Sequence, residues 1–223
     1  MKTITVLSRK GGSGKTTLAV NLALMAFLAG RKVMLADIDP QRSASDALRN
    51  RAEPGPTLID GVVGKLFHAR STAMREHYDY LFIDTPASPE TDVAQAVNLS
   101  DLCLVVGRPS FLDLAPIVRS AEAVRRLGKT GFVVLNQAQT KRAEVAPVAY
   151  PDVIEALRFC GLPLAPRGLR ARDVFQTAMA AGRCVPECEG DSPAARDLEG
   201  LWAFVEANLA GGEARPVRTA LAG

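Results

Sequence analysis

The residues best suited to chemistry lie close to the N-terminus, where Gly11, Gly12 and Gly14 are interleaved with Ser13 and followed by Lys15, Thr16 and Thr17. Glycines at this density let successive backbone N–H groups turn toward one anion. Lys15 can reach the β and γ oxygens of a triphosphate, and the Thr16 hydroxyl can bind Mg2+. Counted from Arg9, the segment fits the phosphate-loop pattern G-x-x-x-x-G-K-[ST], except that Arg9 stands at the first glycine position. A Gly-rich run alone could be a flexible turn. A strand before it, Gly-Lys-Thr-Thr closing it and a helix after it favour a phosphate site formed by Gly11, Gly12, Ser13, Gly14, Lys15, Thr16 and Thr17.

Three aspartates follow apolar runs: Asp37 and Asp39 after residues 32–36, and Asp84 after residues 80–83. Carboxylates beside a triphosphate repel it unless a cation or water intervenes, so this placement argues for Mg2+ and a nucleophilic water. A helix cap or a turn is the ordinary alternative for each. Asn136 follows another apolar run, and a carboxamide there can pair with donor and acceptor on an adenine edge, unless it only forms a turn.

These groups need a scaffold. Apolar runs at residues 3–7, 32–36, 80–83, 102–106 and 132–135 read as strands, and residues 16–28 and 112–126 read as helices, the first stopped by Gly30. Short apolar strands separated by helices predict an α/β fold with a parallel sheet covered on both faces and functional groups at the strand C-termini. The segment 41–56 reads as a polar region that contains Pro and Gly. Further on, a helix over 152–159, a short strand near 162–164, and helices over 172–181 and 194–209 are expected. Residues 1–209 read as a single domain and residues 210–223 as a flexible tail.

At 223 residues, 48% hydrophobic and 23% charged, the composition is that of a globular chain able to bury its own core. No uncharged apolar stretch reaches the roughly 18–20 residues needed to span a bilayer, and no signal-peptide layout opens the chain, so a cytoplasmic protein is expected. The net charge of +3 permits contact with nucleic acid without establishing it. Cys103, Cys160, Cys184 and Cys188 are scattered, so disulfides are not expected. The spacing of Cys184 and Cys188 alone suggests a metal, but His68 and His77 are distant in sequence.

The run Lys10-Gly-Gly-Ser-Gly-Lys-Thr-Thr resembles the deviant Walker A loop KGGxGK[ST]T of the ParA/MinD family, whose first lysine defines the group. The resemblance extends from Met1 to about Leu209 and takes in Asp37-Ile-Asp39-Pro40-Gln41, Asp84-Thr85-Pro86 and the segment from Ala178 to Val185. It implies a P-loop NTPase fold with a mostly parallel twisted sheet, ATP and Mg2+ as cofactors, and a homodimer in the ATP-bound form. Lys10 would cross the dimer interface to the partner's nucleotide, where a second ammonium neutralises charge spreading over the phosphoryl oxygens. Lys10, Lys15 and Asp39 are then the catalytic set, with Asp39 orienting the attacking water. Thr16 and Asp84 would hold the metal, with Asp37 supporting the metal shell. Asn136 falls where the family reads its base, and the loop 166–172 lies beside it, with Arg167 as a further nucleotide contact.

Within the family, the branches differ in accessory parts. A MinD-like membrane helix is disfavoured by Gly211, Gly212 and Pro216 in the tail. A cluster-sharing reductase is disfavoured because Cys103 falls inside a strand. The ParA branch binds DNA non-specifically through phosphate contacts, for which Lys141, Arg142, Arg167, Arg170 and Arg172 are candidates and Arg183 a further one. Each could equally be a solvated surface charge. Because the phosphate-loop strand starts at Thr3, the resemblance is to the small, ParF-like type without an N-terminal helix-turn-helix domain. Arg9 in place of glutamine and Ala87 in place of proline are departures that remove no catalytic group. The expected function is partitioning of plasmid or chromosomal DNA by a nucleoid-associated ATPase, with a small centromere-binding, ParB-like activator and no membrane partner. The alternative is an ATPase that positions a protein cargo or division machinery on the nucleoid or membrane.

Overall fold

The structure, a computed structural model, describes residues 1–60, 65–87, 91–138 and 149–210. Six strands form one sheet in which every pairing is parallel: β1 (Lys2–Leu7), β2 (Val33–Asp37), β3 (Thr57–Asp60), β4 (Tyr80–Asp84), β5 (Leu102–Gly107) and β6 (Gly131–Leu135), in the order β3-β2-β4-β1-β5-β6. The helices are α1 (Lys15–Leu28), α2 (Ser43–Arg49), α3 (Leu66–Arg75), α4 (Thr91–Leu99), α5 (Phe111–Arg126), α6 (Ala149–Leu157), α7 (Val174–Ala180), α8 (Val185–Cys188) and α9 (Pro193–Leu209).

The apolar strands are continuous because both faces are covered, and side-chain alternation distributes them. Phe82 of β4 packs with α1 and α9, whereas its neighbours Leu81 and Ile83 pack on the other face with Leu66, Ala69 and Ala73 of α3. On that second face Ile117, Ala121 and Val124 of α5 meet Val105 and Val133. Helix α1 is apolar on nearly all sides because it is central, and its one buried amide, Asn21, is satisfied at both ends. Its Nδ2 donates to Thr17 O at 2.8 Å and its Oδ1 accepts from Val185 N at 3.1 Å. Trp202 of α9 closes this layer edge-on against Tyr80, with ring centroids 5.4 Å apart.

The strand order creates the site. The chain leaves β1 in one direction to form β2 and later crosses back over β1 to form β5, so β1 lies between β4 and β5. Parallel strands bring the C-terminal ends of β1, β2, β4 and β6 to one edge, where the loops carry the chemistry.

Several expectations change. The segment 41–56 contains α2, whose Ser-Ala-Ser-Asp-Ala start is polar enough to hide a short helix packed on α1. Strand β3 and helices α3, α4 and α8 are additions to the elements expected from the sequence. No strand forms at 162–164; that segment meets the sheet only by the bridge of Leu164 to Val133, because the chain runs on as an irregular edge to β6. Helix α7 starts at Val174 rather than residue 172.

Candidate functional site

The phosphate loop joins β1 to α1 at a left-handed Gly14 (φ 93°), which is the N-cap of α1. A side chain there would be strained, and an added Cβ would collide with Asn136 Nδ2. Gly14 O then accepts from Leu18 N at 3.0 Å to start the helix, whose first-turn N–H groups have no acceptor within the helix and suit an anion. Lys15 is only 6% exposed. Burial lowers its pKa, opposed by the charges of Asp84 and Asp39, so those carboxylates are its electrostatic partners. The Ser13 hydroxyl is buried without a hydrogen-bond partner.

Asp37 and Asp84 end adjacent strands in register and Asp39 follows two residues after Asp37, but the three aspartates are not equivalent. Asp37 Oδ2 accepts from Ser45 N and Oγ, both at 2.8 Å, and its Oδ1 accepts from Asp39 N at 3.1 Å. Asp37 therefore pins the start of α2 and the turn that carries Asp39, and both of its oxygens are engaged in doing so. Asp39 is half-buried, with Oδ1 accepting from Gln41 N at 2.9 Å. Asp84 is fully buried, and neither of its oxygens has a hydrogen bond. Burial pushes its carboxyl up to about 7; the nearby Thr16 hydroxyl and Lys15 favour the charged form, and Asp37 and Asp39 disfavour it. A buried carboxylate with open lone pairs, facing a lysine and a threonine hydroxyl, fits a hydrated divalent cation held by Thr16 and Asp84.

The β6 end clamps the loop. Asn136, 5% exposed, donates from Nδ2 to Ser13 O at 2.8 Å. Beside it Gln137, at a left-handed φ of 53°, donates from Nε2 to Gly12 O at 3.4 Å. One amide donor of Asn136 is thus engaged with the loop, and its second N–H and its carbonyl are the groups left for a base. Gln137 escapes a reading of the sequence, in which a polar residue directly after Asn136 is the only signal.

Lys10 is not free in its own chain. Its Nζ donates to Asp113 Oδ2 at 2.6 Å, and Asp113 is a residue that no motif in the sequence singles out.

The basic candidates separate. Arg167, Arg170 and Arg172 lie on the irregular edge where Leu169 N donates to Leu135 O and Ala171 N to Ala138 O. Arg167 lays its stem along Gly200 of α9, Arg170 approaches Asp197 at 4.0 Å, and Arg183 pairs with Glu53. Lys141 and Arg142 lie outside the described residues. Of the cysteines, Cys184 is buried with its thiol pushed up to about 12, whereas Cys188 is exposed. No cluster of three metal-ligating side chains occurs among the described residues.

A parallel α/β sheet with a glycine-rich loop between its first strand and helix, a buried lysine and an acidic strand end defines a P-loop nucleotide-binding protein. Residues 4–175 match the CobQ/CobB/MinD/ParA nucleotide binding domain, and the chain belongs to that family as a ParA/MinD-type member. It is 32% identical over 216 residues to the maintenance of carboxysome distribution protein A of Gloeobacter kilaueensis, covering 93% of this chain and 94% of that one. It is 46% identical to the chromosome-partitioning ATPase Soj of Thermus thermophilus over 55 residues, 25% of this chain and 22% of that one. The fold superposes on an ATP complex of Cyanothece McdA with a TM-score of 0.75 at 22% identity, over 94% of this chain and 96% of that one.

Proposed function

We propose that this chain is a Mg2+-ATP-dependent, dimerising ATPase that distributes a cargo over a DNA surface. The observation that carries the ATPase reading is the buried Asp84, without a hydrogen bond to either oxygen, facing Lys15 and Thr16 at the end of the glycine-rich loop. When bound, Mg2+-ATP supplies the electrophilic phosphoryl group and the metal's charge. Lys15 and the loop amides hold the β and γ oxygens; Thr16 and Asp84 hold the metal; Asp39 orients water; Lys10 serves the partner's nucleotide.

A protein assembly is the cargo favoured first, because similarity to the carboxysome distribution protein runs over nearly the whole of both chains. DNA partitioning is the second reading, supported by the shorter match to Soj and by the arginines beside β6. In both, arginine contacts to DNA phosphates supply the track, and a separate partner bound to the cargo stimulates turnover.

The test is ATP hydrolysis by the purified chain, with sedimentation alongside duplex DNA of arbitrary sequence and alongside anionic liposomes. Mg2+-ATP should give a dimer that binds DNA with steep salt dependence, ADP should not, and Lys15→Ala should bind ATP at least about 100-fold more weakly. Liposome binding without DNA binding would replace the DNA track with a membrane. Wild-type ATP affinity in Lys15→Ala would remove the phosphate-site assignment.

A further inference from the structure

We infer that Asp113 is a positioning residue for Lys10: within one chain it stores the lysine ammonium in cis, and Lys10 must leave that carboxylate to reach a partner's nucleotide. The inference rests on the trans role proposed for Lys10 and adds what controls it.

Asp113 lies in the first turn of α5, where an acidic residue ordinarily interacts with its own helix terminus. Here it does something else. Its oxygens accept from Lys10 Nζ at 2.6 Å, from the Ser110 hydroxyl, and from Arg108 N at 3.4 Å. The carboxylate side chain is 1% exposed and that of Lys10 24%, so the acid is fixed in the protein while the base stands at its mouth. Burial acts to raise the Asp113 carboxyl, but the bonds from Lys10, Ser110 and Arg108 outweigh it and hold the group below the usual carboxylate range.

A second contact ties the loop to the same helix. Arg9 N donates to Ser120 Oγ at 3.1 Å, so α5 holds the backbone before Lys10 as well as its side chain.

Release is chemically reasonable because Asp113 would not be left without a cation. Arg108 Nε is 3.5 Å from Oδ1 and is itself partly exposed. Storage also has a use: an unheld ammonium beside Gly11 would be drawn to the phosphates of its own chain, where it could not link two subunits. Phe111 and Leu112, 77% and 76% exposed, flank the pair on the same helix end, so a second copy covering them would meet Lys10 where it is stored.

The experiment compares wild type, Asp113→Asn, Lys10→Ala and the double variant, and measures the protein concentration for half-dimerisation in Mg2+-ATP together with kcat and KM. Asp113→Asn should dimerise at about threefold to tenfold lower concentration and raise unstimulated kcat by a similar factor, with KM within about twofold. Both gains should vanish in the Lys10→Ala background, which a merely structural role for Asp113 would not require. Unchanged or weaker dimerisation, or gains that persist without Lys10, would overturn the inference. If Lys10→Ala alone dimerises and turns over as wild type, the trans reading has failed instead. A further arm needs no variant. Acylation of the Lys10 amine, followed by mass spectrometry in the absence of nucleotide, should be severalfold slower than that of exposed Lys2 and should accelerate in high salt. Equal rates for the two lysines would overturn the cis pair whether or not Asp113→Asn folds.

Discussion

Asp37 and Asp84 end neighbouring strands, pair with each other in register and are almost completely buried, at 1% and 0% exposure. By depth and position in the sheet they are equivalent, yet their chemistry diverges. Asp37 accepts from Ser45 and from Asp39 N, while Asp84 has no hydrogen bond to either oxygen and a carboxyl pushed up to about 7. The cause is local. Two residues after Asp37 comes an N–H, that of Asp39, which closes back on the carboxylate; two residues after Asp84 comes Pro86, which has no N–H to give. The Thr85 hydroxyl is also engaged elsewhere, on Val6 O at 2.9 Å. Burial therefore does not mark a functional carboxylate in this fold. What separates the two is the supply of hydrogen bonds, and the proposed role of Asp84 in holding a metal rests on that difference.

The strongest test of that contrast exchanges each acid for its amide or for alanine. Asp84→Asn should lower Mg2+-dependent ATP turnover by about a hundredfold to a thousandfold. It should leave thermal stability without nucleotide equal to or above wild type, since it removes an unsatisfied buried charge. Asp37→Ala should do the reverse in emphasis: it orphans the Ser45 donors and costs about 1–3 kcal/mol of folding stability, read by denaturant unfolding, with a smaller effect on turnover. If the two variants behave alike, the distinction between them is wrong.

A smaller effect is expected on the pH dependence of stability. The Asp84 carboxyl is raised in the folded chain from 3.8 to about 7. Between those values the folded chain retains a proton that the unfolded chain has released, so this group's contribution is lost as pH rises from about 4 to about 7 and is constant above. The melting temperature of Asp84→Asn minus that of wild type should accordingly grow by a few degrees across that window, and Mg2+ with nucleotide should abolish the growth. A difference independent of pH would mean that Asp84 is already satisfied. The finest test is Pro86→Ala, which restores an N–H two residues on and should move the midpoint of that difference downward by up to about one pH unit.

How much of this was legible in the sequence follows from how far apart the partners are. The glycines, Lys15, Thr16 and the acidic strand ends form contiguous motifs, and the apolar runs show the period of a doubly covered parallel sheet, so family, fold class and phosphate loop could be read directly. Helix α2 and strand β3 escaped because they are short and polar, and their stability comes from packing on α1 and β2 rather than from their own pattern.

What the sequence by itself determined is the chemistry available: a loop able to bind phosphates, cations and carboxylates at strand ends, and a proline after Asp84 that denies it a local donor. Only the tertiary structure decided how those groups are used. Lys10 meets Asp113 across 103 positions, and Gln137 and Asn136 reach Gly12 and Ser13 across 125 and 123. Such contacts follow from the order in which parallel strands are laid down, and no local pattern of residue types encodes that order.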